Sequence, residues 1–248
     1  MPASHILVHK EGPLLTIQIN RPDKKNAITN EMYEGLVEAL TLATNDPHII
    51  AVKLQGTGDC FTAGNDLADF LSMEGLSTNA PAARFLKALV SCPKILMAVV
   101  QGAAVGIGTT MLLHCDFVVA STEARFQLPF INLALVPEAA SSLLLPARIG
   151  YLRAAELLLL GEPFSAETAL QFGLVNRVVE AAEVEACSLR ILKHLLDKDP
   201  SALFETKRLL KLQSQEVDER MGEEFRAFGA RLASPSFKAM AEAFLQSK

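Results

Sequence analysis

Paired cysteines are missing from this chain. Its four cysteines, Cys60, Cys92, Cys115 and Cys187, are scattered without a CxxC pair, so neither a zinc knuckle nor a disulfide framework is expected. Cys92 and Cys115 stand among apolar residues and read as core thiols. The five histidines are His5, His9, His48, His114 and His194; His5 and His9 stand at an HxxxH spacing, but no HExxH occurs and no further histidine or cysteine lies near them in sequence, so no metal site is expected. A basic excess is missing too. With a net charge of -5, the chain has no surplus to neutralise a phosphate backbone, which argues against a general nucleic-acid binder. A local basic patch for a phosphorylated ligand is still open. Walker and full GxGxxG sequences are absent, and with them a nucleotide fingerprint.

No targeting segment is visible. The start, "MPASHILVHKEGP", has no basic head followed by a long apolar run. The end, "FLQSK", is not the peroxisomal "SKL". A soluble, cytoplasmic protein is expected. One stretch tests that reading: Ile95 to Cys115 carries no formal charge and is long enough to span a bilayer. Gln101, Thr109, Thr110 and His114 interrupt it, however, and Gly102, Gly106 and Gly108 cluster in its middle. A buried strand, a glycine turn and a buried helix are expected there, not membrane insertion.

What the chain does have is bulk. It has 248 residues, 50% of them hydrophobic, enough for one large domain, or one domain with an appendage, around an ample core. "LLTIQIN", "IIAVKLQG", "KILMAVVQG", "FVVAS" and "RFQL" read as strands. "EMYEGLVEALTLAT" puts Met32, Leu36, Leu40 and Ala43 on one helical face behind a Thr29 or Asn30 cap, and "APAARFLKALV" is a further helix. Strand and helix alternate, which predicts an α/β fold with parallel strands. After about Leu143 the pattern turns helical. One helix ends at Gly161, and another runs from Ser165 to Gly173. The stripes Met221/Phe225/Phe228/Leu232 and Phe237/Met240/Phe244 suit either core or a subunit interface.

Two glycine turns punctuate the strand-to-helix passages: "GTGDCFTAGNDLADF", through Ala63-Gly64-Asn65, and "QGAAVGIGTTMLL", through Gly106-Ile107-Gly108. Each can present backbone N–H groups where a helix begins, and two converging N–H groups make an oxyanion hole. Glycine also simply permits tight turns, and spacing alone favours that simpler reading. Glu138 poses a sharper question. It stands in "NLALVPEAASS", next to Val136 and Pro137, where an ionised carboxylate is expensive to bury. It either caps the helix that follows, pairs with a base, or does chemistry. Capping acids outnumber catalytic ones, so the residues alone favour the cap.

"FTAGNDL", "QGAAVGIGTTMLLHCDFVVAS" and "FQLPFINLALVPEAASS", in this order and spacing, resemble successive motifs of the enoyl-CoA hydratase/isomerase (crotonase) superfamily. The resemblance runs from "NRPDKKNAI" to the helical tail. It implies a crotonase-like spiral of ββα units over residues 1–190, and a helical oligomerisation region over 191–248 that builds a homotrimer or a dimer of trimers. It implies an acyl-CoA thioester substrate and no separate cofactor, coenzyme A being part of the substrate. It assigns the oxyanion hole to the N–H groups of Asn65 and Ile107. It places Ala63, Gly64, Asp66, Leu67, Gly106, Phe130 and Lys24 along the substrate, with Lys24 and Lys25 near the nucleotide end. Hydratases of the family use two glutamates; Thr110 and Phe130 stand at those positions here. "LPFINLALVPEAASS" is similar to the isomerases that move a double bond from position 3 to position 2 with one glutamate. Glu138 falls on that residue, and the resemblance reverses the preference for a cap. The alternatives are another crotonase-type reaction, such as hydration or decarboxylation, and an inactive acyl-CoA-binding subunit.

Overall fold

The computed structural model describes residues 5–71, 79–211 and 214–246. Strands β1 (Ile6–Glu11), β2 (Leu14–Ile19), β3 (Ala51–Gly56), β4 (Ile95–Val100), β6 (Phe117–Ser121) and β9 (Arg177–Val179) form one sheet in that spatial order. Only β1 runs antiparallel to its neighbour; the other pairings are parallel. A second, small sheet holds β5 (Ala103–Val105), β7 (Arg125–Gln127) and β8 (Phe164–Ser165).

Helices α1 (Asn30–Asn45), α2 (Leu67–Leu71), α3 (Pro81–Ser91), α4 (Ile107–Thr110), α5 (Ser141–Ile149), α6 (Tyr151–Leu160) and α7 (Ala166–Gln171) lie among these strands. The tail is α8 (Val184–Leu196), α9 (Pro200–Leu210), α10 (Ser214–Leu232) and α11 (Pro235–Gln246). The repeating unit is visible twice. β4 leads through β5 into α4, and β6 leads through β7 to α5, so each unit spends one strand in each sheet before its helix.

The chargeless stretch from Ile95 is explained by this architecture. All six residues of β4 are buried, and it lies between two parallel partners. A parallel strand covered on both faces reads as a continuous apolar run rather than an alternating one. Among the described residues no helix is long and apolar enough to cross a membrane. All four cysteines are buried and free.

Local chemistry sets the helix ends. Thr29 caps α1 by accepting from the Met32 N–H at 3.3 Å. Ser165 caps α7 in the same way, accepting from Thr168 N. Gly161 ends α6 in the left-handed region, where glycine meets no Cβ penalty. One feature departs from the sequence reading: the opening hairpin strand β1 has only its first residue buried, so its pattern carried little apolar signal. The Met221/Phe225/Phe228/Leu232 stripe, which suited either core or an interface, folds back on its own chain. Phe228 meets Phe70 edge-on at 6.3 Å, and Phe228 and Leu232 join the main core. In the second stripe Phe237 is buried, while Met240 and Phe244 are exposed. Helix α8 crosses position 190 and packs on β4, β6 and β9, so core and tail share it.

Candidate active site

The two glycine turns meet. Thr62 and Ala104 form an isolated parallel bridge, with Thr62 N donating to Ala103 O and Val105 N donating to Thr62 O, both at 3.0 Å. The approach leaves no room for side chains at two points. A Cβ on Gly64, whose φ is +90°, would lie 2.7 Å from Val105 O; one on Gly108 would lie 2.6 Å from Thr62 Cγ2. Contact and the positive φ both require glycine at Gly64; at Gly108 the requirement is the contact alone. Among the described residues, neither the Asn65 N–H nor the Ile107 N–H finds a protein acceptor.

Beside this junction lies a cavity of about 300 Å³. Asn65 and Glu138 stand in its wall with Tyr33, Phe70 and Leu86, and α10 closes it with Met221, Phe225 and Phe228. Tyr33 is buried on α1, packs against Phe85 at 5.5 Å, and donates its hydroxyl to Asn65 Oδ1 at 2.5 Å. That bond fixes the loop carrying the Asn65 N–H.

Glu138 is held by an unusual turn. Ala139 and Ala140 both have left-handed backbones, with φ 61° and 54°, at roughly 1–2 kcal/mol each for a residue with a Cβ. The Ser141 hydroxyl donates to Glu138 O at 2.6 Å, and His114 Nε2 contacts Ala139 O at 2.8 Å. The turn directs the Glu138 carboxyl at the cavity, where the buried Thr110 hydroxyl donates to it. Enclosure among apolar groups pushes its pKa up to about 8; the Thr110 hydrogen bond pulls downward and the charge of Glu224 adds to the rise. Accessible surface remains on Glu138, and it belongs to the cavity wall.

The capping role anticipated for Glu138 is taken by another residue. Helix α5 begins after Ala140, which makes no side-chain cap. Two N–H groups at its start point at Glu224 on α10: Ala140 N donates to Oε2 at 2.6 Å and Ser142 N to Oε1 at 2.8 Å. Glu138 precedes the helix; its carbonyl accepts from Ser141 N at 3.1 Å, and its carboxyl caps nothing among the described residues. Burial raises the Glu224 pKa, and these hydrogen bonds oppose the rise.

The other sequence candidates fall in several places. Gly64 is buried and Ala63 half-buried at the loop junction. Asp66 ion-pairs with Arg21 at 2.6 Å and accepts from Ala68 N and Asp69 N, so its carboxylate is committed to starting α2, where Leu67 sits. Gly106 and Ile107 form the second loop, the Ile107 side chain being buried. Phe130 is buried in the core; neither it nor Ile107 is among the cavity-lining residues. Lys24 and Lys25 are exposed on a 3-10 turn, and Lys25 O receives the Ala63 N–H at 2.9 Å, which ties that turn to the first loop. Sequence reasoning missed Tyr33 and Glu224. The signal for Glu224 was present: three residues after Met221 and four before Phe228, it is a carboxylate on an apolar helical face.

A larger hollow of about 760 Å³ lies between α5, α8 and α9. Its titratable groups are poorly suited to catalysis. Burial pushes the Cys115 thiol up to about 12 and holds His114 near 4, and Lys207 is occupied by Asp116 and Lys94 O. Among the described residues no cluster of three or more potential metal ligands occurs.

Known proteins agree with this architecture. The solved structure of OdaA from Pseudomonas aeruginosa superposes with a TM-score of 0.95 at 42% identity, over 98% of this chain and 99% of that one. Enoyl-CoA delta isomerase 2 of Rattus norvegicus is 38% identical over 88% of this chain, which spans 57% of the rat protein's length. Short-chain-enoyl-CoA hydratase of Clostridium acetobutylicum is 28% identical over 100% of this chain and 97% of its own length. The fold is the crotonase-like α/β spiral. Residues 9–246 match the enoyl-CoA hydratase/isomerase family along nearly their whole extent, and the chain belongs to that family.

Proposed function

We propose that the protein is an enoyl-CoA isomerase that moves a double bond from position 3 to position 2 of an acyl-CoA thioester, as in fatty-acid oxidation. One observation carries this reading. Glu138 is a cavity carboxylate with its proton affinity raised to about 8, whereas the other buried carboxylate there, Glu224, has both oxygens occupied by backbone N–H groups. A reaction that needs a single group, base first and acid second, fits that inventory.

The steps follow. The carboxylate of Glu138 removes an α-proton, made acidic by the thioester carbonyl and the alkene. The electron pair moves into a dienolate, whose oxygen is held by the N–H groups of Asn65 and Ile107. The protonated Glu138 then delivers a proton to the γ-carbon. The thioester gains and loses one proton, and Glu138 ends as it began. A pKa near neutrality serves both transfers. Thr110 and Tyr33 orient the participants through their bonds to Glu138 and Asn65. The acyl chain lies against Phe70, Leu86 and Phe225. The exposed Met240 of α11 is consistent with burial against another copy of the chain; the assembly proposed is one built on trimers, which light scattering tests.

Hydration is the second reading, favoured by the full-length similarity to the Clostridium hydratase. It calls for a second group to hold water, and Thr110 and Phe130 provide no carboxylate. The test is an absorbance assay of 3-enoyl-CoA beside hydration of 2-enoyl-CoA at matched chain length. Isomerisation is expected to dominate. Faster hydration would overturn the proposal, and tight acyl-CoA binding without either reaction would identify an inactive subunit.

A further inference from the structure

The segment bearing Glu138 is gripped at both ends by one helix of the tail. At its start, Arg231 Nε donates to Ala134 O at 2.8 Å. At its end, Glu224 accepts from Ala140 N at 2.6 Å and Ser142 N at 2.8 Å. Ala134, Ala139 and Ala140 are all left-handed. These gripped residues are therefore ones whose backbone would relax elsewhere if released. Glu224 and Arg231 are seven positions apart on α10, two helical turns or about 10 Å. They share a face with Phe228, which packs into the core. Their charges match the two tasks: a carboxylate takes N–H groups and a guanidinium takes a carbonyl.

We propose that α10 is a splint for the base: Glu224 and Arg231 are positioning residues that hold residues 134–142 in the one conformation that aims Glu138 into the cavity. The same helix supplies the apolar wall through Met221 and Phe225. Docking of α10 thus completes the acyl pocket and sets the base in a single event. The catalytic consequence rests on the isomerase reading; the splint itself does not.

The test uses the full chain and the variants Glu224→Gln, Arg231→Gln and Arg231→Lys. Glutamine at 224 keeps the shape but offers one acceptor in place of two. Lysine at 231 can still donate to Ala134 O. Two sets of measurements are made. The first is independent of activity: amide exchange at Ala140 and Ser142, and carbon-13 NMR titration of the Glu138 carboxyl, assigned with Glu138→Gln. The titratable groups around that carboxyl are Tyr33 on α1, Lys87 on α3, and Asp218 and Glu224 on α10, with Arg220 beside Glu224. Removing the Glu224 charge should move the Glu138 titration to lower pH, and exchange at both amides should accelerate. The second set is kinetic. In Glu224→Gln and Arg231→Gln, kcat on 3-enoyl-CoA should fall on the order of tenfold to a hundredfold, the scale of a misplaced catalytic group, with a much smaller change in KM. Arg231→Lys should recover part of the loss. Folded Glu224→Gln and Arg231→Gln variants with wild-type amide exchange would overturn the splint wherever Glu138 titrates, because a titration shift without faster exchange reports only the lost charge. If the wild type fails to isomerise 3-enoyl-CoA, the isomerase reading falls, and the NMR arm alone decides the splint.

Discussion

The spiral core and α10 wall the same cavity by different means. The core wall is built from backbone: two loops interlocked at Gly64 and Gly108, and a left-handed turn that aims one carboxylate. The α10 wall is built from side chains: Met221, Phe225 and Phe228 across the opening, with Glu224 reaching into the core. Backbone N–H groups tolerate side-chain change but not displacement, whereas an apolar wall tolerates displacement but responds to volume. The contrast also separates the two carboxylates. Glu224 receives two N–H groups and serves as a cap; Glu138 receives one hydroxyl and keeps a high proton affinity. Burial raises both carboxyls, and the two N–H groups received by Glu224 oppose its rise and occupy its oxygens.

The contrast is sharpened most by Glu138→Gln. The amide keeps the shape and removes the base, so isomerisation should fall by roughly a hundredfold or more while acyl-CoA binding persists; steady-state rates and a binding titration check both. Turnover near wild type would sink the assignment. Next in size are two variants of the core loop. Ile107→Pro deletes the N–H at a helix-start position that suits proline, and should lose about 3 kcal/mol of transition-state stabilisation, on the order of a hundredfold in rate. Ile107→Ala keeps the N–H and should remain active with a lower melting temperature, since it empties a buried site. Equal rates in both folded variants would place the oxyanion elsewhere.

The α10 wall should respond more gently. Phe225→Ala removes half-buried apolar surface, and should raise KM for longer acyl chains by about 1 kcal/mol, a severalfold effect. A KM measured against chain length checks this, and a loss confined to kcat would contradict the division between the walls. A last prediction concerns stability rather than rate. Glu138 binds its proton more tightly in the folded chain than in the unfolded one. The stability this adds is complete below the ordinary glutamate range and is lost as pH rises through about 8. Glu138→Gln has no such loss, so its melting temperature should gain on the wild type between pH 5 and pH 9. A gap independent of pH would mean that Glu138 titrates normally.

Much of the core wall was legible in the sequence. Strand-to-helix passages with glycines at Gly64 and Gly108 marked the loops, and "LALVPEAASS" marked an acid in apolar company. The Ser165 cap followed from residue type, and Thr29 was one of the two candidates for the α1 cap. What could not be read is long-range or left-handed. Alanine gives no hint of the positive φ at 139 and 140, because nothing in its side chain favours it. The Tyr33 hydroxyl and Asn65 are 32 residues apart in sequence, and Glu224 and Ala140 are 84 apart. The Met221 stripe showed that α10 had an apolar face, but period alone does not say whether that face meets its own core or another subunit.

The central claim is that Glu138, in its own environment, is the base. The pH dependence of kcat/KM for 3-enoyl-CoA tests it most directly, since that ratio reports the free enzyme's essential groups. The account predicts a rise governed by loss of one proton near pH 8, absent from the residual activity of Glu138→Gln. A rise centred in the ordinary carboxylate range, or one that survives in Glu138→Gln, would contradict it.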